Sequence, residues 1–127
     1  MPRILVVDDD VTIRAMFSRA LAKHGDVDQA AGGEEALKLL DAQKYDAITL
    51  DLAMPRVDGF GVLARLGAST AKNHASPVIV VTANPQDQAM ARSFHAGAML
   101  FLTKPVPIAQ LSAMILMALS QGARPKK

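Results

Sequence analysis

Four runs dominated by apolar residues punctuate the chain: Ile4-Leu5-Val6-Val7, residues 45–50, Val78-Ile79-Val80-Val81 and residues 100–103. A weaker fifth lies at 27–30. Apolar residues at consecutive positions mark strands covered on both faces, because a strand with one solvated face alternates instead. The intervening segments carry helical spacing. Residues 12–24 predict a helix closed by Gly25, and 33–42 a second with Ala36, Leu37 and Leu40 on one side. Turn chemistry from Met54-Pro55 to Asp58-Gly59 precedes a third helix at 60–66. Asn84-Pro85 predicts the cap and opening of a fourth, which runs to Ala96 and stops at Gly97, and Pro107 starts a fifth reaching Ser120.

Regular alternation of buried strands with helices predicts an α/β fold, a parallel sheet covered on both faces. Right-handed crossovers leave few ways to arrange five such units. The expected architecture is a doubly wound, flavodoxin-like (βα)5 domain with strand order 2-1-3-4-5, spanning residues 1–122 and followed by a short basic tail at 123–127.

Composition narrows the function classes. At 127 residues, half of them apolar, the chain fits one domain with one core, so one site is expected. The absence of cysteine removes disulfides, thiolate metal sites and cysteine nucleophiles, and agrees with a cytoplasmic setting. A net charge of +2 with scattered basic residues forms no stripe that would track a phosphate backbone, so direct nucleic-acid binding is not expected. The apolar run after Met1-Pro2-Arg3 is too short for a signal peptide or a membrane span, and no membrane insertion is expected.

The acidic residues cluster where the chemistry should be. Ligands of open parallel sheets bind outside the carboxyl ends of the strands, and those ends carry Asp8 and Asp9, Asp51, Thr82 and Lys104. Carboxylates gathered at one place repel and raise one another's pKa unless a cation intervenes. Oxygen-only donors favour Mg²⁺ or Mn²⁺ over Zn²⁺. Lys104 supplies a fixed positive charge opposite the cluster and Thr82 a hydroxyl, so a carboxylate nucleophile at Asp51 would complete a phosphoryl-transfer site. His24, His74 and His95 are far apart in sequence and away from the strand ends, and form neither a metal triad nor a phosphohistidine motif. Gly32-Gly33 and Gly59-x-Gly61 match no phosphate-binding fingerprint and read as turns and helix ends.

The motifs Leu5-Val6-Val7-Asp8-Asp9, Asp51-Leu52-Ala53-Met54-Pro55 with Asp58-Gly59, Val81-Thr82-Ala83 and Lys104-Pro105 together resemble the receiver domains of two-component signalling. The likeness to the stand-alone bacterial chemotaxis response regulators covers residues 3–119. This resemblance implies that Asp51 accepts a phosphoryl group from a histidine kinase or phosphotransfer protein. It implies that Asp9, Asp51 and the Ala53 carbonyl bind Mg²⁺ directly, with Asp8 acting through a water, and that Asp10 lies just outside the metal shell. Lys104, Thr82 and the Ala83 N–H would contact the phosphoryl oxygens, and Phe101 would take the aromatic switch position beside Thr82. Phe101 departs from the tyrosine common there and has no hydroxyl to donate. Ala53 and Asn84 occupy positions that in similar receivers tune the lifetime of the acyl phosphate.

Output is expected through another protein, by docking or as a relay to a downstream phosphotransfer domain, and a second copy of the chain is a further candidate partner. On the last helix Ile108, Leu111, Ile115 and Leu119 form the expected core stripe, leaving Met114, Leu116 and Met117 to point elsewhere. With Met90 and Phe94 they predict a partner face on the fourth helix, fifth strand and fifth helix. The alternatives are a degenerate receiver that binds without phosphorylation, an aspartate-nucleophile phosphatase or phosphotransferase, and a flavodoxin-like cofactor carrier. The second would place an Asp where Ala53 stands, and the third would set an FMN phosphate against Asp8 to Asp10.

Overall fold

A computed structural model describes residues 1–83 and 88–121. The elements run in strict alternation: β1 (Arg3–Val7), α1 (Val11–Leu21), β2 (Asp26–Ala30), α2 (Gly33–Ala42), β3 (Ala47–Leu50), α3 (Gly59–Leu66), β4 (Val78–Thr82), α4 (Ala89–His95), β5 (Leu100–Thr103) and α5 (Ile108–Gln121). The five strands form one sheet in the order β2-β1-β3-β4-β5, every pairing parallel, as the alternation predicts.

Successive strand residues face opposite sides of a sheet, and here both sides are apolar, which is why the strands read as continuous runs. Leu5, Val7, Ile48, Leu50, Val78 and Val80 pack against Ala36 and Leu40 of α2, Val62, Leu63 and Leu66 of α3, and Ala89 of α4. The interleaved Ile4, Val6, Ala47, Ile79 and Val81 pack against Phe17 and Leu21 of α1 and Leu111, Ile115 and Ala118 of α5.

Several boundaries differ from the periodicity. α1 ends at Leu21 rather than at residue 24, and a turn leads into Gly25. That glycine serves a close backbone approach: a Cβ there would lie 2.5 Å from the Pro2 carbonyl oxygen, which also accepts the Asp26 N–H. Gly97 ends α4 as expected, with φ of +109°, a conformation that favours glycine. The predicted cap at Asn84-Pro85 and the basic tail lie outside the described residues. On α5 the fully buried positions are Leu111, Ile115 and Ala118, while Ile108 and Leu119 are half-buried.

Residues 45 and 46 precede β3 instead of forming it, because their polar groups serve other partners. The Asp46 carboxylate accepts the Arg3 N–H at 2.8 Å. The Tyr45 hydroxyl donates to Asp28 at 2.7 Å, and burial, then that neighbouring carboxylate, pushes the phenol above its ordinary range. Asn73 ties this end of the sheet together. Its Oδ1 accepts the Tyr45 N–H at 2.7 Å, and its Nδ2 donates to the Leu40 and Gln43 carbonyls at 2.8 and 2.9 Å. An alanine would strand three backbone groups at once, two of them in buried bonds and the third part-buried. Asn73→Ala is expected to lower stability by about 3 kcal/mol in urea denaturation.

Candidate functional site

Pairing of the strand ends builds the site. Val7, the last residue of β1, accepts the Asp51 N–H at 3.1 Å, and the Asp8 N–H donates to Ala30 at the end of β2 at 3.1 Å. These bonds draw Asp8 and Asp51 to the same edge. The Lys104 N–H donates to the Thr82 carbonyl at 2.8 Å, which sets the lysine beside the end of β4.

The carboxylates of Asp8, Asp9 and Asp51 each offer an oxygen within 4.8 Å of the others. Asp8 and Asp51 are almost wholly buried, at 2% and 5% exposure, while Asp9 opens to solvent. Lys104 Nζ donates to Asp8 Oδ2 at 2.7 Å and stands 3.6 Å from Asp51 Oδ2. Two backbone N–H groups hold the carboxylates from the other side, Asp10 to Asp8 Oδ1 at 2.9 Å and Ala53 to Asp51 Oδ1 at 3.2 Å.

Burial is the main force on Asp51, pushing its pKa from 3.8 up to about 6. Lys104 and the Ala53 N–H oppose that rise, while Asp8 and Asp9 add to it. A carboxylate raised mainly by desolvation among like charges is poised to gain from an incoming cation.

The loop after β3 folds back tightly. The Gly59 N–H donates to the Leu52 carbonyl at 3.0 Å, and a Cβ on Gly59 would lie 2.5 Å from the Asp51 carbonyl oxygen and 2.7 Å from the Leu52 Cα. Since the obstacle is backbone, Gly59→Ala must displace the segment carrying Asp51. A loss of about 2 kcal/mol is expected, measured as a lowered urea midpoint with an unchanged slope.

Most of the predicted site residues come together. Asp8, Asp9, Asp51 and Lys104 form the cluster, and Thr82, 1% exposed, ends β4 opposite Thr103, one position before Lys104. Ala53 and Ala83 lie exposed just beyond the ends of β3 and β4. Phe101 is half-buried in β5 and packs against the core layer shared with α2 and α3. Asp10 has a separate role, since its carboxylate accepts the Thr12 and Ile13 N–H groups at 2.9 and 3.1 Å and caps α1. Asn84 lies outside the described residues.

Of the predicted partner face, Met90 and Phe94 on α4 and Leu116 and Met117 on α5 are exposed. Met114 is half-buried and packs, like Leu119, on the core layer beneath α1 and α5, so it presents less surface to a partner than these four.

Sequence reasoning missed three features. Arg14 Nη1 donates to the Asp8 carbonyl at 2.9 Å, a side-chain-to-backbone bond across six positions that no spacing along the chain signals. A groove of about 660 Å³ beside the acidic turn, lined by Val11, Ala15 and Met16 of α1 and Ile108 of α5, leaves Val11 and Met16 exposed. His74 and His95, distant in sequence, line one cavity of about 150 Å³ beside the start of β4, at the opposite end of the sheet from the acidic cluster.

A family model described as the response regulator receiver domain matches residues 4–116. The chain belongs to this family. Phosphorylation-dependent signalling is the general function of receiver domains, and the fold and acidic cluster described above agree with it. The receiver is 36% identical over 125 residues to the transcriptional regulatory protein AfsQ1 of Streptomyces coelicolor, covering 98% of this chain and 54% of that protein. It thus spans about half the length of the curated relatives it matches. Among solved structures it superposes on the receiver domain of Francisella response regulator 1452 with a TM-score of 0.85 at 30% identity, covering 95% of this chain and 98% of that one. A response regulator of Burkholderia pseudomallei, solved with a phosphorylated aspartic acid, a calcium ion and citrate, gives 0.79 at 29% identity, covering 94% and 66%. No helix among the described residues is long and apolar enough to cross a membrane.

Proposed function

We propose that this receiver accepts a phosphoryl group on Asp51 from a histidine kinase or phosphotransfer protein and changes its affinity for a protein partner in response. The observation that carries this reading is the buried Asp51 carboxylate, crowded by Asp8 and Asp9 and faced by Lys104. The regulator of B. pseudomallei with its phosphorylated aspartic acid supports it by likeness.

The donor set fits a hard divalent cation: three carboxylates with oxygens within 4.8 Å, no sulfur or nitrogen ligand among them, and one member open to solvent. Asp9, Asp51 and the Ala53 carbonyl would hold Mg²⁺, with Asp8 acting through a water. When bound, the cation supplies neutralising charge to the phosphoryl oxygens.

An Asp51 oxygen attacks phosphorus, the bond from phosphorus to the donor breaks, and an acyl phosphate forms on the protein itself. Lys104, released from its ion pair with Asp8, takes one phosphoryl oxygen, and the Thr82 hydroxyl and Ala83 N–H take others. Thr82 sits opposite Thr103 in the β4–β5 ladder, two residues from Phe101, so drawing Thr82 toward the phosphoryl group alters the packing around that ring. The new state is selected from those the free receiver already samples.

Incubation with Mg²⁺ and acetyl phosphate tests the acceptor. The expected result in intact mass is the gain of one phosphoryl group, lost with chelator and lost in Asp51→Asn. Labelling that persists in Asp51→Asn assigns another aspartate, and its absence in the wild type leaves a receiver that binds without phosphorylation.

The partner face is proposed to be Met90, Phe94, Leu116 and Met117, which present flexible apolar side chains to solvent on α4 and α5. Leu116→Lys with Met117→Lys should leave stability within about 0.5 kcal/mol, since both positions are exposed. Binding of the cognate target or of a second copy, followed by calorimetry or light scattering, should fall at least tenfold.

A further inference from the structure

The three carboxylates of the cluster are not equally restrained. Asp8 is held by Lys104 and the Asp10 N–H, and Asp51 by Lys104 and the Ala53 N–H. Asp9 is exposed, and its side chain accepts no hydrogen bond among the described residues. What fixes Asp9 is therefore its backbone, and the peptide group joining it to Asp8 has a dedicated partner. Arg14 Nη1 donates to the Asp8 carbonyl at 2.9 Å, while Arg14 Nε donates to Gln29 Oε1 on β2 at 3.2 Å. Two bonds in different directions orient the planar guanidinium, and through it the plane of the Asp8–Asp9 peptide. Arg14 lies on the first turns of α1, so it ties the helix, the neighbouring strand and the acidic turn at one point.

We propose that Arg14 is a positioning residue for the divalent cation: it holds the Asp8–Asp9 peptide so that the otherwise unrestrained Asp9 carboxylate faces Asp51. This inference rests on reading the acidic cluster as a cation site. It makes a prediction opposite in sign to simple electrostatics. Arg14 is a cation near a cation site, so its removal on charge grounds alone should tighten Mg²⁺ binding. Removal of an oriented outer partner loosens a metal ligand, typically by ten- to a hundredfold in affinity.

The experiment is calorimetric titration of Mg²⁺ into the unphosphorylated protein, wild type against Arg14→Ala, Arg14→Lys and Gln29→Ala, with folding of each verified by circular dichroism at the titration temperature. The expected result is a loss of about tenfold or more in Mg²⁺ affinity for Arg14→Ala. A smaller loss is expected for Arg14→Lys, which keeps a donor but cannot make both bonds, and for Gln29→Ala, which frees only one edge of the guanidinium. An affinity that is unchanged or tighter in a folded Arg14→Ala overturns the positioning role and leaves Arg14 a purely structural link. A lowered melting temperature with unchanged affinity overturns it equally. Failure of the wild type itself to bind Mg²⁺ overturns the cation site and this inference with it, a result distinct from failure at Arg14 alone.

Discussion

Without metal at pH 7, Asp51→Asn is expected to unfold at a higher temperature than the wild type. The unfolded chain releases the Asp51 proton near 3.8 and the folded protein near 6, so between those values the folded state binds more protons. A group with its folded pKa raised contributes stability below its unfolded value and loses it as pH rises through the folded one. The wild type should accordingly lose stability between pH 3.8 and about 6, with the full deficit present at neutral pH. The size of the shift corresponds to about 3 kcal/mol. Asparagine keeps an oxygen for the Ala53 N–H but carries no charge to desolvate; it also gives up attraction to Lys104, so a net gain of about 1–3 kcal/mol is expected. Thermal melts from pH 4 to pH 8 should show a falling wild-type curve and a flatter mutant one. With Mg²⁺ held at the acidic cluster as proposed above, millimolar Mg²⁺ should narrow or reverse the difference, since a ligand that binds only the folded state stabilises it. A mutant that melts lower than the wild type at pH 7 in chelator would show that Asp51 is held by its partners more strongly than burial opposes it.

Lys104→Met should act in the opposite direction. The lysine side chain is 9% exposed and bonds Asp8 at 2.7 Å, with Asp51 at 3.6 Å, so it serves two buried carboxylates at once. Methionine preserves the chain's bulk and removes the charge, leaving those carboxylates crowded by Asp9 without a cation. The expected loss is about 3 kcal/mol at neutral pH in urea denaturation, becoming smaller toward pH 4 as Asp51 takes up its proton. Under the proposed function, phosphorylation by acetyl phosphate should also slow by about a hundredfold, because a fixed positive charge facing the phosphoryl oxygens would be gone. Combined with Asp51→Asn, the two changes, a gain at Asp51 and a loss at Lys104, should not simply add: removing either charge already abolishes the interaction, and a coupling of about 1 kcal/mol or more is expected between groups this close. A simple sum in the double mutant would mean that the lysine acts through Asp8 alone.

Much of this site was legible in the chain. Buried parallel strands announce themselves as consecutive apolar residues, and the polar residue that ends each run is therefore conspicuous. Asp8, Asp51 and Lys104 were found in this way, and the parallel order of the strands brought them to one edge. Asp10 was harder to assign, because an aspartate beside a metal site and an aspartate capping a helix have the same sequence appearance. Its bonds to the Thr12 and Ile13 N–H groups decide for the cap.

Helix faces were less secure. Period alone could not rank Ala118 against Leu119, since adjacent positions differ by one step around the helix and the larger residue looks the better core candidate. Ala118 is wholly buried there, while Leu119 and Met114 are half-buried against the same layer. The length of α1 was overstated for a related reason: residues 22–24 keep helix-compatible character, but the approach of Gly25 to the Pro2 carbonyl turns the chain early.

By itself, then, the sequence determined the fold class, the strand order and the residues at the strand ends, because these depend on local periodicity and on the handedness of crossovers. The tertiary structure decided what depends on distance between remote segments. It set Lys104 against Asp8 across 96 positions of chain, raised the pKa of Asp51 through burial, and made Asn73 a hub for the far end of the sheet. It also laid the Arg14 guanidinium on the Asp8 carbonyl, where a residue that reads as an ordinary surface arginine holds the backbone of the acidic turn. Such roles arise from geometry in three dimensions, and no periodicity along the chain encodes them.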